Sequence, residues 1–305
     1  MTAAESRGPL TALSNELADA VAQAGASVVT VDARRRLGAS GVIWPGDVVV
    51  TADHVLERDD DIKVTLADGT KRTATIVGRD PGSDVAVLRL DGGATAPAVL
   101  APLDSARVGH LVLALGRPGG EGVMASFGVV SAIGGAWRTA RGGAIDGYLR
   151  ADVSLYPGFS GGPLVDIQSR VVGLNSYYLA RGQEIALPSH VVSTIVATLL
   201  ADGRIRRAYL GVTSQPVHLP ASIKQGLGTS QETGLMLIGV EADSPADKGG
   251  LFIGDVIVAI GGQPVADPDD LRRALGSGVV GEPTPVTIVR GGQLQERAVT
   301  PGERS

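Results

Sequence analysis

Apolar positions recur along this chain at two different periods. Leu10, Leu13, Leu17 and Val21 stand three and four residues apart, which predicts an amphipathic helix over residues 10 to 24, closed by Gly25. Such a helix would pack on the following domain or on a neighbouring subunit. From residue 27 the pattern changes to short apolar runs: Ser27–Val31, Gly41–Trp44, Val48–Thr51, Ile62–Leu66, Ala74–Asp80, Val85–Leu90 and Leu111–Leu115, then Gly128–Ile133, Gly147–Asp152, Pro163–Asp166 and Val171–Ser176. Pairs such as Pro45-Gly46, Asp68-Gly69, Pro81-Gly82 and Asp91-Gly92 punctuate them. Short strands at this spacing predict a closed or sandwiched antiparallel sheet. The polar, Gly-rich stretch Trp137–Gly147 reads as a longer mobile loop. Arg34-Arg35-Arg36 is either a solvated turn or a patch for phosphate or an acidic partner.

Val191, Val192, Ile195, Val196 and Leu199 form a helical stripe over residues 190 to 202, which Gly203 ends. The period then restarts, with strands near Tyr209–Val217, Leu235–Val240, Val256–Ile260 and Thr287–Arg290 and short helices near Pro245–Gly249 and Pro268–Leu275. The predicted organisation is a helical segment over 1–26, a β-rich domain over 27–202, a linker over 203–208 and a second domain over 209–302.

A length of 305 residues agrees with two domains. Apolar residues make up 44% but aromatics only 3%, so the cores must be aliphatic, and 43 glycines with 17 prolines supply the turns of a mainly β chain. The net charge of −5 does not suggest an electrostatic nucleic-acid binder. With no cysteine there is no disulfide, no thiolate zinc site and no cysteine nucleophile. No phosphate loop and no metal-ligand pair such as H-E-x-x-H is present, so neither cofactor nor metal is expected. No apolar run reaches the ~18 residues of a membrane span. Met1-Thr2-Ala3-Ala4-Glu5 lacks the basic and apolar regions of a secretory signal. The chain either stays inside the cell or has lost a leader.

The stretch with most chemical content is Tyr156-Pro157-Gly158-Phe159-Ser160-Gly161-Gly162-Pro163-Leu164. A serine flanked by glycines sits on a sharp turn whose backbone N–H groups can converge on one point and hold an oxyanion. Alone it is equally an ordinary Gly-Ser turn. A serine hydroxyl needs a base, and only His54, His110, His190 and His218 are available. His54 stands where the apolar run Val48–Thr51 gives way to a polar turn, and Asp84 stands just before the strand Val85–Leu90. Singly they read as a structural histidine and a turn-capping aspartate. Together with Ser160 they supply a nucleophile, a base and an orienting acid.

On Thr51-Ala52-Asp53-His54-Val55, Ser83-Asp84-Val85-Ala86-Val87-Leu88, Asp152–Pro163 around Ser160, and Ala186-Leu187-Pro188-Ser189, the sequence resembles the HtrA (Deg) family of trypsin-like serine proteases with a PDZ domain. The resemblance spans roughly residues 10 to 302. It implies a mainly β fold, a chymotrypsin-like double β-barrel followed by a PDZ domain, with the active site in the cleft between barrels. It also implies ATP-independent cleavage of unfolded or damaged proteins. Carried over residue by residue, Ser160 is the nucleophile, His54 the general base, Asp84 the orienting acid, and the N–H groups of Gly158 and Ser160 the oxyanion hole. The position six before the nucleophile carries an acid in trypsin and is Ser154 here, so a basic side chain would be desolvated without a partner. Cleavage after small or medium aliphatic residues is expected. The pocket wall would come from Leu155 and the 182–186 segment, Ile185 and Ala186 included.

The chain departs from the family at Phe159, where an Asn is usual. An exposed Phe there would line the leaving-group side of the cleft or distort the turn. The Asp32–Gly38 segment is short, so the long regulatory loop of some relatives is not expected. Residues 1 to 30 contain no aromatic residue, and a homo-oligomer, a trimer, is implied by the resemblance alone. Ala208-Tyr209-Leu210-Gly211-Val212 resembles the carboxylate-binding loop of the family's PDZ domains, as do Val240–Ala246 and Gly250–Ile257 their further blocks. Successive N–H groups around Gly211 would hold a terminal carboxylate, with the peptide added as a strand beside Val212–Val217 against the helix near Asp269–Leu275. Tyr209, Leu210, Gly211, Val212, Leu271 and Leu275 are the groove candidates, although Leu210 and Val212 also read as core. The expected partners are unfolded protein substrates and C-terminal peptides, with no nucleic acid. Two other readings stay open: a catalytically inactive, peptide-binding or holdase protein on a protease fold, and a hydrolase of small esters. The family's usual compartment points to a bacterial envelope protein whose leader or anchor is missing.

Overall fold

Strands that are apolar at every position must be buried on both faces, and Val48-Val49-Val50 is such a run. A computed structural model describes residues 8–303, apart from 36, 94–95, 120–121, 140–142, 181–182, 207, 228–230 and 277–278. The chain divides into two units between Ile205 and Arg206.

The first unit holds two closed six-stranded barrels. Strands β1 (Val28–Asp32), β2 (Ala39–Trp44), β3 (Val48–Thr51), β4 (Ile62–Thr65), β5 (Lys71–Asp80) and β6 (Val85–Leu90) close in the order β1-β2-β3-β6-β5-β4. After β7 (Leu111–Gly116) and β8 (Met124–Gly134) comes a small hairpin, β9 (Trp137–Arg138) and β10 (Ala144–Ile145). Then β11 (Tyr148–Ala151), β12 (Pro163–Asp166), β13 (Val171–Ala180) and β14 (Gln183–Pro188) complete a barrel of order β11-β14-β13-β12-β7-β8. Val49 and Ile43 fill the first barrel, whereas Val42, Trp44, Val48 and Val50, from the opposite faces of the same strands, join Leu113, Leu115, Leu174 and Leu187 in a core shared by both barrels. That shared core explains the double burial and sets the barrel edges facing each other.

Helix α1 (Pro9–Gly25) buries Ala20 and Ala24 and lays Leu17 and Val21 on the shared core, while Leu10 stays exposed. Helix α2 (Ser189–Asp202) adds its predicted stripe and ends at Gly203, whose positive φ and N–H bond to the Leu199 carbonyl make a left-handed cap. Trp137–Gly147 is more ordered than its composition predicts. Ile145 is buried in the shared core, and the Thr139 hydroxyl donates to the Gly82 carbonyl at 2.6 Å. Its central residues, 140–142, lie outside the described residues, as does Arg36. Arg34 acts within its turn, donating to the Leu37 and Gly38 carbonyls.

The second unit is a sheet of β16 (Val212–His218), β17 (Thr233–Val240), β18 (Val256–Ile260), β20 (Thr284–Arg290) and β21 (Gln293–Val299) in that order. Strand β19 (Gln263–Pro264) pairs with β18, and β15 (Ala208–Tyr209) pairs with β22 (Gly302–Glu303). Three short helices, α3 (Ala221–Leu227), α4 (Pro245–Lys248) and α5 (Pro268–Ala274), accompany it. Asp267 caps α5 by accepting from the N–H groups of Asp269 and Asp270 at 2.8 Å.

Candidate active site

Strand β3 ends at Thr51, and the chain turns through one 3₁₀ turn, Asp53–Val55, that carries His54. Arg79 fixes this turn: its Nε donates to the Asp53 carboxylate at 2.6 Å. Burial works against the Arg79 charge, but Asp53 and Asp59 outweigh it and raise its pKa. Asp84 lies at the tip of a second turn, in the left-handed region at φ +57°. That turn is held from within by Asp80, which accepts from the N–H groups of Gly82 and Ser83 and from the Ser83 hydroxyl.

The two turns bring His54 and Asp84 together. His54 Nδ1 lies 2.8 Å from Asp84 Oδ2 and 2.9 Å from Oδ1, and the His54 backbone N–H donates to Oδ1 at 2.9 Å. Asp84 is buried, and the Ser176 hydroxyl donates to its Oδ2 at 2.5 Å. A carboxylate only accepts hydrogen bonds, so it holds the imidazole with its proton on Nδ1. Nothing in the sequence marked Ser176, which follows Asn175 in an otherwise largely apolar strand. Tyr178 was missed as well; its ring stacks on the His54 ring, with centroids 5.1 Å apart.

Ser160 comes from the second barrel, on the turn before β12. Tyr156-Pro157-Gly158-Phe159 closes with the Phe159 N–H on the Tyr156 carbonyl at 2.9 Å. Gly158 has φ +88°, so Pro and Gly occupy the central positions that a type II turn requires. A Cβ on Gly158 would lie 2.4 Å from Pro118 Cβ. The N–H groups of Gly158 and Ser160 donate no hydrogen bond among the described residues. Ser160 Oγ accepts the Tyr177 N–H at 3.3 Å, and among the described residues it makes no hydrogen bond to the His54 ring.

Phe159 corrects the expectation of an exposed ring. It is 0% exposed and packs inside the second barrel with Leu155, Leu164 and Val172. Gly116 makes room: a Cβ there would stand 2.5 Å from the ring. The residue anchors the turn instead of lining the cleft.

Among the pocket candidates, Ser154 is exposed, and Leu155 packs partly buried with Ala186. Ile185 alternates to the other face of β14 and joins the shared core, so it does not line the same wall. Residue 182 lies outside the described residues. Glu184, on the face of Ala186, lies within the expected 182–186 wall, but its acid was not singled out. Its carboxylate accepts the Leu155 N–H at 3.2 Å, which places an acid beside the pocket segment although Ser154 is neutral.

In the second unit, β16 lies at the end of the sheet order, with α5 packed against it. Leu210 and Leu271 are buried in its core, and Val212 and Leu275 pack partly buried against them. The Leu210 and Gly211 carbonyls accept from the N–H groups of Ala246 and Glu241, at 2.8 and 2.9 Å. The N–H groups of Leu210 and Gly211 themselves donate to nothing among the described residues. Gly211 has φ +80°, and a Cβ there would meet Ser244 Cβ at 2.2 Å. The Tyr209 hydroxyl bonds to Glu241.

Residues 39–174 match the trypsin-like peptidase domain and residues 238–290 the PDZ domain. A relative from Ectopseudomonas mendocina (strain ymp), named a probable periplasmic serine endoprotease DegP-like, is 35% identical over 87% of this chain and 56% of its own length. One of the same name from Rhizobium meliloti (strain 1021) is 35% identical over 86% of this chain and 52% of its own. The structure described as the HtrA-type protease AlgW with decapeptide superposes with a TM-score of 0.76 at 26% identity, covering 95% of this chain and 99% of that one. The serine endoprotease from Yersinia pestis gives 0.77 at 27% identity, covering 95% and 98%. The chain is built like the HtrA-type serine proteases, a trypsin-like peptidase domain followed by a PDZ domain. It spans about half the length of the curated relatives it matches. Its double barrel and following PDZ domain are as the resemblance implied. Among the described residues, no cluster of potential metal ligands occurs and no helix is long and apolar enough to cross a membrane.

Proposed function

We propose that this chain is an ATP-independent serine endopeptidase that cleaves unfolded or damaged proteins, with the PDZ domain binding C-terminal peptides and tuning the activity. What supports the reading is the buried Asp84, held by three donors and seated on His54 Nδ1, opposite a Ser160 whose turn carries two undonated N–H groups. Ser160 Oγ attacks the scissile carbonyl, and His54 Nε2 takes its proton and returns it to the leaving amine. Asp84 stabilises the imidazolium, and the N–H groups of Gly158 and Ser160 receive the oxyanion. The Ser160–His54 hydrogen bond forms when substrate displaces the Oγ from the Tyr177 N–H, since catalytic hydrogen bonds often close only in the substrate complex.

The terminal carboxylate of a peptide sits on the N–H groups of Leu210 and Gly211, and its strand extends β16 across Val212, Leu271 and Leu275. The working assembly is a homo-oligomer, a trimer, in the bacterial envelope; sedimentation of the purified chain tests the first point. The test of the activity is degradation of casein by the chain beside its Ser160→Ala variant, with and without a C-terminal activating peptide. Activity lost in the variant supports the reading. No activity in either, peptide included, overturns it.

A further inference from the structure

We propose that Ser40 is a positioning residue for the oxyanion turn and that Arg117 ties it to the end of the first helix. The proposal rests on the reading of Gly158 and Ser160 as the oxyanion donors. Ser40 is fully buried in β2, the strand whose Val42 and Trp44 face the core shared by the barrels. Its hydroxyl donates to the Gly158 carbonyl at 2.6 Å, and the same oxygen accepts the Arg117 backbone N–H at 2.8 Å. A hydroxyl has one proton. With the Arg117 N–H on a lone pair, that proton is directed to Gly158.

The geometry gives this bond leverage. The Gly158–Phe159 peptide lies between the two peptides that carry the donor N–H groups of Gly158 and Ser160. Its carbonyl is held by Ser40 and its N–H by the Tyr156 carbonyl. Both ends of one peptide plane are therefore fixed, and with them the spacing of the donors on either side. Oxyanion stabilisation depends on that spacing, because donors must already point at the place where charge develops.

Arg117 carries the connection further. It is 6% exposed, and among the described residues no carboxylate pairs with it. Its Nε donates to the Val28 carbonyl at 2.8 Å and its terminal nitrogen to the Gly25 carbonyl at 3.0 Å, while its own carbonyl accepts the Thr30 hydroxyl at 2.6 Å. Burial lowers its pKa from the ordinary value. Gly25 is the last residue of α1 and abuts Val123. A buried cation held by carbonyls alone is an expensive structural choice, and here it joins the end of α1, the start of β1 and the oxyanion turn through one side chain and one hydroxyl.

The experiment uses the full chain and its Ser40→Ala, Ser40→Cys, Arg117→Met and Ser160→Ala variants. It reads kcat and KM on a fluorogenic peptide, the affinity of a peptide boronate that places an oxygen in the oxyanion site, and the melting temperature. Ser40→Ala is expected to lower kcat about 10- to 100-fold with KM changed less than about threefold, and to weaken the boronate by the same factor as kcat/KM. Ser40→Cys, a weaker donor of similar shape, should fall between, and it reads the same quantity if the alanine variant does not fold. Arg117→Met should give a smaller loss of kcat, and adding it to Ser40→Ala should cost less than its effect alone. A folded Ser40→Ala enzyme with kcat within about twofold of the parent overturns the proposal, as does a loss of kcat without loss of boronate affinity. Activity retained in Ser160→Ala would instead bring down the nucleophile reading beneath it.

Discussion

Phe159→Ala separates anchoring of the oxyanion turn from the chemistry that the turn performs. The ring is wholly buried among Leu155, Leu164 and Val172, makes an edge contact with Tyr156 at 5.3 Å between centroids, and occupies the space that Gly116 leaves open. Truncating a buried Phe costs about 3–5 kcal/mol, from lost transfer energy and from the cavity left behind. The second barrel around it is a closed hydrogen-bonded cylinder, so the cavity will not collapse fully and the upper half of that range is expected. For a unit of this size, about 2–4 °C of melting temperature accompanies each kcal/mol, a fall of roughly 8–20 °C. The same substitution frees the peptide between the two donor N–H groups. Complete loss of one donor costs about 2.7–4 kcal/mol of barrier, so a partly loosened turn should lower kcat about 10- to 100-fold. Melting followed by circular dichroism, with kcat measured well below the transition, reads the two effects apart. Phe159→Leu, which keeps most of the volume, should restore most of both. A Phe159→Ala enzyme melting within about 2 °C of the parent and turning over at the parental rate would refute the anchoring argument.

Gly158→Ala should lower kcat about 10²- to 10³-fold, because its methyl would enter Pro118 at 2.4 Å and the Gly38 carbonyl at 2.9 Å on a backbone already at φ +88°. Paired peptides with Val or Arg at the cleavage site, assayed on the parent and on Glu184→Ala, test the pocket: Ser154 favours Val, and preferred cleavage after Arg that disappears in the variant would show Glu184 reading the substrate. Leu210→Glu should abolish C-terminal peptide binding measured by fluorescence anisotropy; intact binding would remove the groove assignment. Burial alone would raise the pKa of Asp255, but hydrogen bonds from Arg290 and the Phe252 N–H outweigh it, and the pKa lies below the usual 3.8. The unfolded chain therefore takes up this proton at a higher pH than the folded one. The stabilisation is complete above about 4 and is lost as pH falls through the folded value. Melting of the PDZ unit should drop with acidification in that window, and Asp255→Asn should flatten the drop.

Most strand positions were legible because a residue with its two neighbours already states which faces must be buried; the strand pattern left a barrel and a sandwich both open, and the double barrel came from the resemblance. Val48-Val49-Val50 announces a doubly buried strand, and the Val191–Leu199 stripe a helix against a core. Strand β21 was not legible, since most of Gln293–Val299 is polar on an edge; its signal was Gly291-Gly292, both at positive φ, the two-residue turn of a tight hairpin. His54, Asp84 and Ser160 stood out because each breaks a local pattern: a base at a strand end, an acid before one, a serine inside a glycine turn.

What only the tertiary structure decided is which residues serve those three. Ser176, Ser40 and Arg117 lie 92, 118 and 92 positions from Asp84, Gly158 and Gly25 respectively, and each makes an unremarkable local sequence. Phe159 pointed outward by local reasoning and inward in the fold, because the direction of a turn residue is set by the cavity on the other side, here the one Gly116 provides. Local propensity and period reach only a few residues along the chain. A hydrogen bond or a packed ring needs two surfaces brought together, and closing the two barrels against one shared core is what brings them.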